Sequence, residues 1–224
     1  MSVTGGDVTI SDCRAFGCGG AGFSADRCRL TMRTCIAREC ANGFDVRRLS
    51  AESSLFGLIA GMNWRNGFRL RECADLSINS CNASRNGEAG FQLEACRGAA
   101  LLACVAMQNS LNEPGQFAGV QLADHCRQNT IGYSLLADIQ GLPAPRNMAV
   151  KADATSGENV IRYNVVGDPQ RPETAKKPVP PLTSGKAPPT LATTCQGDAP
   201  NGMGRRPRTR ESTTNGDEQS NGKR

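Results

Sequence analysis

One phrase recurs along this chain and constrains its fold more than any other feature: glycine, an apolar residue, any residue, and a second apolar residue. It occurs five times, at spacings of 21, 24, 23 and 29 residues. The copies begin at Gly22, Gly43, Gly67, Gly90 and Gly119. Repetition at a period of roughly 20–50 residues is the signature of solenoid proteins. The chain is therefore predicted to stack several copies of one structural unit.

A second phrase lies between these copies: an apolar residue, any residue, an apolar residue, two residues of any type, and cysteine. It reads Val8-x-Ile10-x-x-Cys13, Leu30-x-Met32-x-x-Cys35, Leu76-x-Ile78-x-x-Cys81 and, more weakly, Ala99-x-Leu101-x-x-Cys104. Two further columns keep a nearly constant distance from these phrases. The first column is Cys28, Leu49, Cys73, Cys96 and Cys126. The second column is Cys18, Cys40, Asn63, Asn86 and Asn109. Aligned columns of this kind predict side chains that stack like on like in successive copies.

The spacing of the apolar residues determines the kind of stack. An apolar-x-apolar triplet places both apolar side chains on one face of a β-strand. Each copy has two such triplets and is too small to bury them alone, so equivalent strands of neighbouring copies should pair in parallel, about 4.8 Å apart. We predict an all-β fold, a right-handed parallel β-helix that is a single-stranded solenoid of about six to seven coils. Cysteines would fill its narrow corners, and Asn63, Asn86 and Asn109 would form a ladder in a left-handed turn.

Charge and composition divide the chain into two parts. Residues 1–168 carry 16 basic and 16 acidic residues, whereas residues 169–224 carry 10 and 5, so the whole formal charge of +5 lies in the second part. We predict a β-helix domain over 1–168, with a loop insertion at 111–118 and a loop at 140–147. The remainder is rich in proline, threonine and glycine and poor in apolar residues, so 169–224 is predicted to be a disordered basic tail.

The segment Leu76 to Leu93, LSINSCNASRNGEAGFQL, resembles the repeat of the pectin-lyase-like superfamily of parallel β-helices. That group includes pectate lyases, polygalacturonases, mannuronan C5-epimerases and non-catalytic sugar-binding proteins. The resemblance covers about 160 residues and implies the fold, with a polysaccharide as the expected partner. The catalytic motifs of the enzymes do not carry over, because the chain has no Asp-Pro-His-Asp segment, no Asp-Asp pair and no calcium-binding nonapeptide repeats.

We therefore expect a non-catalytic β-helix module that binds carbohydrate or serves as an interaction scaffold. The alternative is a polysaccharide lyase or uronan C5-epimerase, or a fragment of one. His125 is the only histidine, and with Asp124 and Tyr133 it could act as a general acid or base on the C5 proton of a uronic sugar. The alternative role for His125 is a turn residue, displaced because that coil contains one extra residue.

Candidate binding residues occupy the outward positions of the first strand of each coil. They are Asp45, Arg69, Arg71, Gln92 and Gln121. Arg69 and Arg71 could each bind a uronate carboxylate bidentately, through two parallel N–H···O hydrogen bonds. Alternatively, ion pairs between coils, such as Asp45 with Arg69 and Arg71 with Glu94, would neutralise this face.

Other positions and partners follow from the same pattern. Trp64 could stack on a sugar ring, or could be a turn aromatic that covers a neighbouring coil. Neither a metal nor another cofactor is expected, because the cysteine spacings recur with the coil instead of forming a metal-binding knuckle. The chain has no signal peptide and no apolar run that could cross a membrane, so a cytoplasmic location is the default expectation, with secretion by a signal-less route or truncation of a longer exported protein as the alternatives. A nucleic-acid partner is not expected.

The first coil is also predicted to be uncapped, because its strand begins a few residues after Met1. Solenoids cover their terminal coils with atypical capping structures. We therefore expect this end to associate with a second copy or with additional upstream coils.

Overall fold

The structure, a computed structural model, describes residues 1–137 and 149–166 and the two-residue strand Thr194–Cys195. These residues form short strands that stack into a β-solenoid. The predicted loop at 140–147 lies outside the described residues. So does the predicted disordered tail, apart from Thr194–Cys195.

The strands, in chain order, are β1 (Ser2–Thr4), β2 (Asp7–Ser11), β3 (Cys13–Phe16), β4 (Phe23–Asp26), β5 (Arg29–Arg33), β6 (Ile36–Arg38), β7 (Phe44–Arg47), β8 (Ser54–Phe56), β9 (Ile59–Gly61), β10 (Phe68–Arg71) and β11 (Ser77–Asn79). They continue as β12 (Asn82–Ser84), β13 (Phe91–Glu94), β14 (Ala100–Leu102), β15 (Val105–Met107), β16 (Val120–Ala123), β17 (Thr130–Gly132), β18 (Leu135–Ala137), β19 (Val150–Ala152), β20 (Val160–Arg162), β21 (Val165–Val166) and β22 (Thr194–Cys195).

Every third strand belongs to the same sheet, which gives three parallel sheets that run the length of the solenoid. Sheet A has the order β1-β4-β7-β10-β13-β16-β19, and sheet B has the order β2-β5-β8-β11-β14-β17-β20. Sheet C runs from β3 to β21 in the same manner, and β22 is added beyond β3. Each sheet thus has seven parallel strands, in agreement with the predicted coil count.

The core consists of the predicted like-on-like columns. Phe23, Phe44, Phe68 and Phe91 occupy equivalent positions in sheet A and are fully buried. Their rings stack with centroid separations of 5.2, 4.9 and 4.6 Å and interplanar angles of 8°, 11° and 9°. Leu70, Leu93 and Leu122 form the adjacent column. The first phrase of the repeat is therefore the inner face of sheet A, and the second phrase supplies sheet B.

Sheet C was not predicted, because the sequence indicated only two strands in each coil. Apart from β3, which also buries Cys13, its strands carry a single inward side chain, which is alanine in most coils. The column is Ala15, Ala37, Ala60, Ala83, Ala106, Leu136 and Val166. One small inward residue does not produce the alternation by which a strand is recognised in a sequence.

The corners between sheets contain residues in the left-handed backbone region. Examples are Arg48 (φ 50°), Ser80 (φ 54°) and Arg85 (φ 56°), one from each kind of corner. The prediction that the asparagines themselves would adopt this conformation was wrong, because the residue before each asparagine does so: Met62, Arg85 and Gln108. This arrangement turns the asparagine side chains inward, where they bond from coil to coil. The predicted ladder is confirmed: Asn63 Nδ2 donates to Asn86 Oδ1 at 2.9 Å, and Asn86 Nδ2 donates to Asn109 Oδ1 at 2.9 Å.

Cysteine fills the other corners, as predicted, and its thiol also donates a hydrogen bond. The Sγ atoms of Cys81 and Cys104 lie 3.4 and 3.3 Å from the carbonyl oxygens two residues earlier. In the next coil, Ser134 Oγ makes the same contact with the Gly132 carbonyl at 2.9 Å. Both side chains are small, and both satisfy a carbonyl at the end of a strand. Burial raises the pKa of the Cys40 thiol to about 12, which keeps it protonated and unreactive at neutral pH.

Candidate functional site

The outward side chains of sheet A, called here the sheet A face, form two polar columns. Their registers agree with the predicted alignment. The first is Ser2, Ser24, Asp45, Arg69, Gln92, Gln121, Lys151, and the second is Thr4, Asp26, Arg47, Arg71, Glu94, Ala123. Five of the six predicted binding residues therefore lie on one continuous surface across adjacent coils.

Ion pairs hold the centre of the sheet A face. Arg71 Nη2 lies 2.7 Å from Asp45 Oδ1. Arg69 contacts both Glu94 carboxylate oxygens, at 3.1 and 3.2 Å. The predicted partners are thus exchanged, because each arginine pairs with a diagonal neighbour instead of one in its own column. A diagonal neighbour in a sheet is roughly 7–8 Å away, a span that suits a long arginine side chain better than the shorter distance within a column.

A second cluster of charges surrounds Asp26 at the corner of the same sheet. Arg48 Nε and Nη2 donate to its two carboxylate oxygens at 3.1 and 2.9 Å, and Arg47 Nη2 donates at 3.1 Å. These hydrogen bonds from Arg48 and then Arg47 lower the pKa of Asp26 from 3.8 to about 2. A carboxyl group whose pKa is lower in the folded than in the unfolded state stabilises the fold at pH values above its unfolded pKa.

We expect this contribution of Asp26 to be complete above about pH 4, near its unfolded pKa. It should be lost as the pH falls to about 2. In the variant Asp26→Asn, this part of the pH dependence should disappear. Urea denaturation midpoints measured between neutral pH and pH about 2 would test the expectation. Parallel acid profiles for the two proteins would contradict it.

Two buried polar atoms of the sheet A face have no hydrogen-bond partner among the described residues. They are Arg71 Nε, a donor, and Gln121 Oε1, an acceptor. Gln92 lies in the strand between them and is only 9% exposed. Buried polar atoms in folded proteins nearly always have a partner, which can be water or a ligand. Both atoms are covered by protein, so a hydroxyl group or a water molecule would reach them only after a small outward shift of the half-buried Arg71 and Gln121 side chains.

The insertion at 111–118 lies beside the same face. Lys151 Nζ, on the sheet A face, donates to the carbonyl oxygen of Gln116 in the insertion at 3.3 Å. At its start, Asn112 Nδ2 donates to the carbonyl of Trp64 at 2.7 Å. A Cβ atom at Gly87 would lie 2.0 Å from that same carbonyl, so glycine is required for this approach. Trp64 is half-buried at the corner that enters sheet A, and its backbone carbonyl accepts this bond from Asn112, which lies two coils further along the stack.

The predicted catalytic residues are distributed over two corners of one coil. Asp124 and His125 lie exposed between sheets A and B, whereas Tyr133 follows β17, between sheets B and C. The extra residue in this coil is accommodated because Asp124 and His125 both adopt left-handed backbone, with φ of 55° and 64°. The amide of His125 donates to Thr155 Oγ1 at 3.0 Å. Tyr133 stacks on Tyr163, with ring centroids 5.2 Å apart. This geometry fits the turn role considered for His125.

Within 1–137 and 149–166, no group of three or more histidine, cysteine, aspartate or glutamate side chains is placed to hold a metal ion. The part of the chain that the structure describes contains no helix that is long and apolar enough to cross a bilayer.

Comparison with known proteins agrees with the geometry. The profile of the family described as the right handed beta helix region matches residues 1–134 of the chain. The chain belongs to this family. No curated protein sequence matches it significantly.

Two solved structures match the chain, and the first of them shares its β-helix fold. One is the A-module of the mannuronan C-5 epimerase AlgE6 of Azotobacter vinelandii, with 15% sequence identity and a TM-score of 0.51, covering 75% of this chain and 58% of that module. The other is the A-module of the epimerase AlgE4 of the same organism, with 14% identity and a TM-score of 0.41, covering 73% and 58%. This β-helix protein thus spans less than two thirds of either module, and at these identities the likeness concerns the fold.

Proposed function

We propose that this β-helix protein is a non-catalytic module that binds carbohydrate on the sheet A face. The observation that carries the proposal is the pair of partnerless buried atoms, Arg71 Nε and Gln121 Oε1. They lie two coils apart, about 10 Å along the stack, and offer one donor and one acceptor. A sugar chain lying along the solenoid carries hydroxyl groups that both donate and accept hydrogen bonds, so it can satisfy both atoms once the Arg71 and Gln121 side chains shift toward it.

The surroundings of these two atoms support a polar ligand of extended shape. On the sheet A face, Glu94 and Asp45 already hold the guanidinium groups of Arg69 and Arg71, so little arginine side-chain entropy would be lost on binding. The 111–118 insertion adjoins the face through Lys151 and Gln116. The named substrate class of both structural neighbours is mannuronan, a polyuronate. For this chain, an acidic polysaccharide is therefore the first ligand to test.

Binding should be measured by isothermal titration calorimetry with alginate oligosaccharides, with neutral dextran oligosaccharides of the same length as the comparison. We expect Gln121→Leu to weaken binding about tenfold, which corresponds to one hydrogen bond of roughly 1.4 kcal/mol. The matched control is Gln128→Leu, because Gln128 bonds to Arg97 and Glu158 away from the sheet A face. Equal affinity of the two variants would contradict the assignment of the site.

The competing enzymatic function gives a different result in the same samples. A lyase would release unsaturated products that absorb in the ultraviolet, and a C5-epimerase would change the uronate composition detected by nuclear magnetic resonance. If either activity occurred and were lost in His125→Ala, the non-catalytic proposal would be wrong. If no polysaccharide bound, a scaffold role would be favoured over carbohydrate binding.

A further inference from the structure

The two ends of the solenoid differ in how well their core columns are covered. Ile10 in the first coil and Ile161 in the last coil belong to the same column of sheet B, yet they are 5% and 48% exposed. In sheet C, Ala15 is fully buried, whereas Val166 at the other end of its column is 50% exposed. The first coil is therefore covered, and the last coil is open.

A strand from the carboxy-terminal part of the chain lies at the covered end. β22 pairs antiparallel with β3, with Thr194 opposite Arg14 and Cys195 opposite Cys13. All other strand pairs among the described residues are parallel and join neighbouring coils. Without β22, the backbone groups of β3 would form an open sheet edge, which can pair with another chain.

The chain length permits this strand to come from the same molecule. Residues 167–193 separate β21 from β22, a segment of 27 residues. The two strands lie at opposite ends of sheet C, seven strand spacings or roughly 34 Å apart. An extended segment of this length can span up to about 90 Å. The 27 residues are therefore enough to join the two strands within one molecule.

We propose that the Thr194–Cys195 strand caps the first coil in cis by strand addition. The cap occupies the edge of β3. The last coil of a second copy would otherwise stack on this edge, because that coil is uncovered: Val165 and Val166 in β21 are 64% and 50% exposed. Stacking of a last coil on a first coil is a head-to-tail contact that does not close and leads to filaments. The cap thereby prevents end-to-end polymerisation, and it is independent of carbohydrate binding.

Thiol oxidation of the full chain tests the register directly. Residues directly opposite in an antiparallel pair have Cα atoms about 4.5–5.5 Å apart, within the roughly 4.4–6.8 Å that a disulfide requires. Glutathione disulfide would accept the two electrons and two protons of the Cys13 and Cys195 thiols and leave as two molecules of glutathione. We expect a Cys13–Cys195 peptide in the mass spectrum of a monomer-sized product. A folded chain that gives no such link, or gives it only between two molecules, would overturn the proposal.

A second pair of positions controls for the other cysteines. In a Cys13→Ser/Cys195→Ser background, Arg14→Cys combined with Thr194→Cys should form a link, because these residues are opposite each other. Arg14→Cys combined with the native Cys195, in a Cys13→Ser background, should form at least tenfold less of the link, because neighbouring residues of a strand point to opposite faces. Equal yields for the two combinations would refute the antiparallel register.

Sedimentation velocity of full-length variants tests the capping role. Proline has no backbone N–H, so Thr194→Pro/Cys195→Pro should disrupt the strand and produce association that increases with concentration. The native chain and the control Thr213→Pro should sediment as monomers. If the double-proline variant remained as monomeric as the native chain, or if the native chain associated to the same extent, the capping role would be refuted.

Discussion

Phe68→Ala should lower the free energy of unfolding by about 3–5 kcal/mol, the usual loss for a large aromatic in a packed core. Phe68 is fully buried in the middle of the four-ring column, with Phe44 and Phe91 at 4.9 and 4.6 Å. Removal of its ring leaves a cavity that parallel strands about 4.8 Å apart cannot close, because the backbone hydrogen bonds fix their spacing. Urea denaturation followed by circular dichroism measures the loss.

Phe56→Ala is the matched control for this prediction. Phe56 is also a phenylalanine in a strand, but it points outward from sheet B and is 51% exposed. A substitution at such a surface position should change the free energy of unfolding by less than about 1 kcal/mol. Similar losses for the two variants would show that the aromatic column is not the main source of stability.

Asn86→Ala should lower the free energy of unfolding by a comparable amount, about 3–5 kcal/mol, because several buried polar groups lose their partners at roughly 1–3 kcal/mol each. Asn86 is fully buried, and its Oδ1 accepts bonds from the Asn63 amide nitrogen and Nδ2 at 3.1 and 2.9 Å. Its Nδ2 donates to the Ala60 carbonyl at 3.3 Å and to Asn109 Oδ1 at 2.9 Å. The methyl group of alanine replaces none of these contacts.

The control for Asn86 is Asn79→Ala, in the same coil. The side chain of Asn79 is half-exposed and bonds locally to Ser77 Oγ at 2.6 Å, and water can replace this bond. We expect a loss below about 1 kcal/mol by the same urea denaturation. If Asn86→Ala were as mild as Asn79→Ala, the asparagine ladder would be a consequence of the fold and not a source of its stability.

The candidate site could be predicted from the sequence only in part. Because the period of a strand is two, the repeat was sufficient to place Asp45, Arg69, Arg71, Gln92 and Gln121 on one outward face. The choice of ion-pair partners was wrong, because it depends on side-chain length across the sheet and not on column order. The partnerless atoms of Arg71 and Gln121 have no signature in the sequence, since satisfaction of a hydrogen bond depends on every neighbouring side chain.

The sequence by itself determined the β-helix, its inner phenylalanine and leucine columns and its asparagine ladder. Each of these repeats once per coil, and a stack of coils turns sequence periodicity directly into spatial contact. Sheet C was decided only by the tertiary structure, because one inward alanine per strand gives no alternation to detect. The same is true of the β22 pairing with β3. This pairing joins residues about 180 positions apart in the sequence. It depends on which edge of sheet C is left open after the coils have stacked, and a local sequence pattern carries no information about that edge.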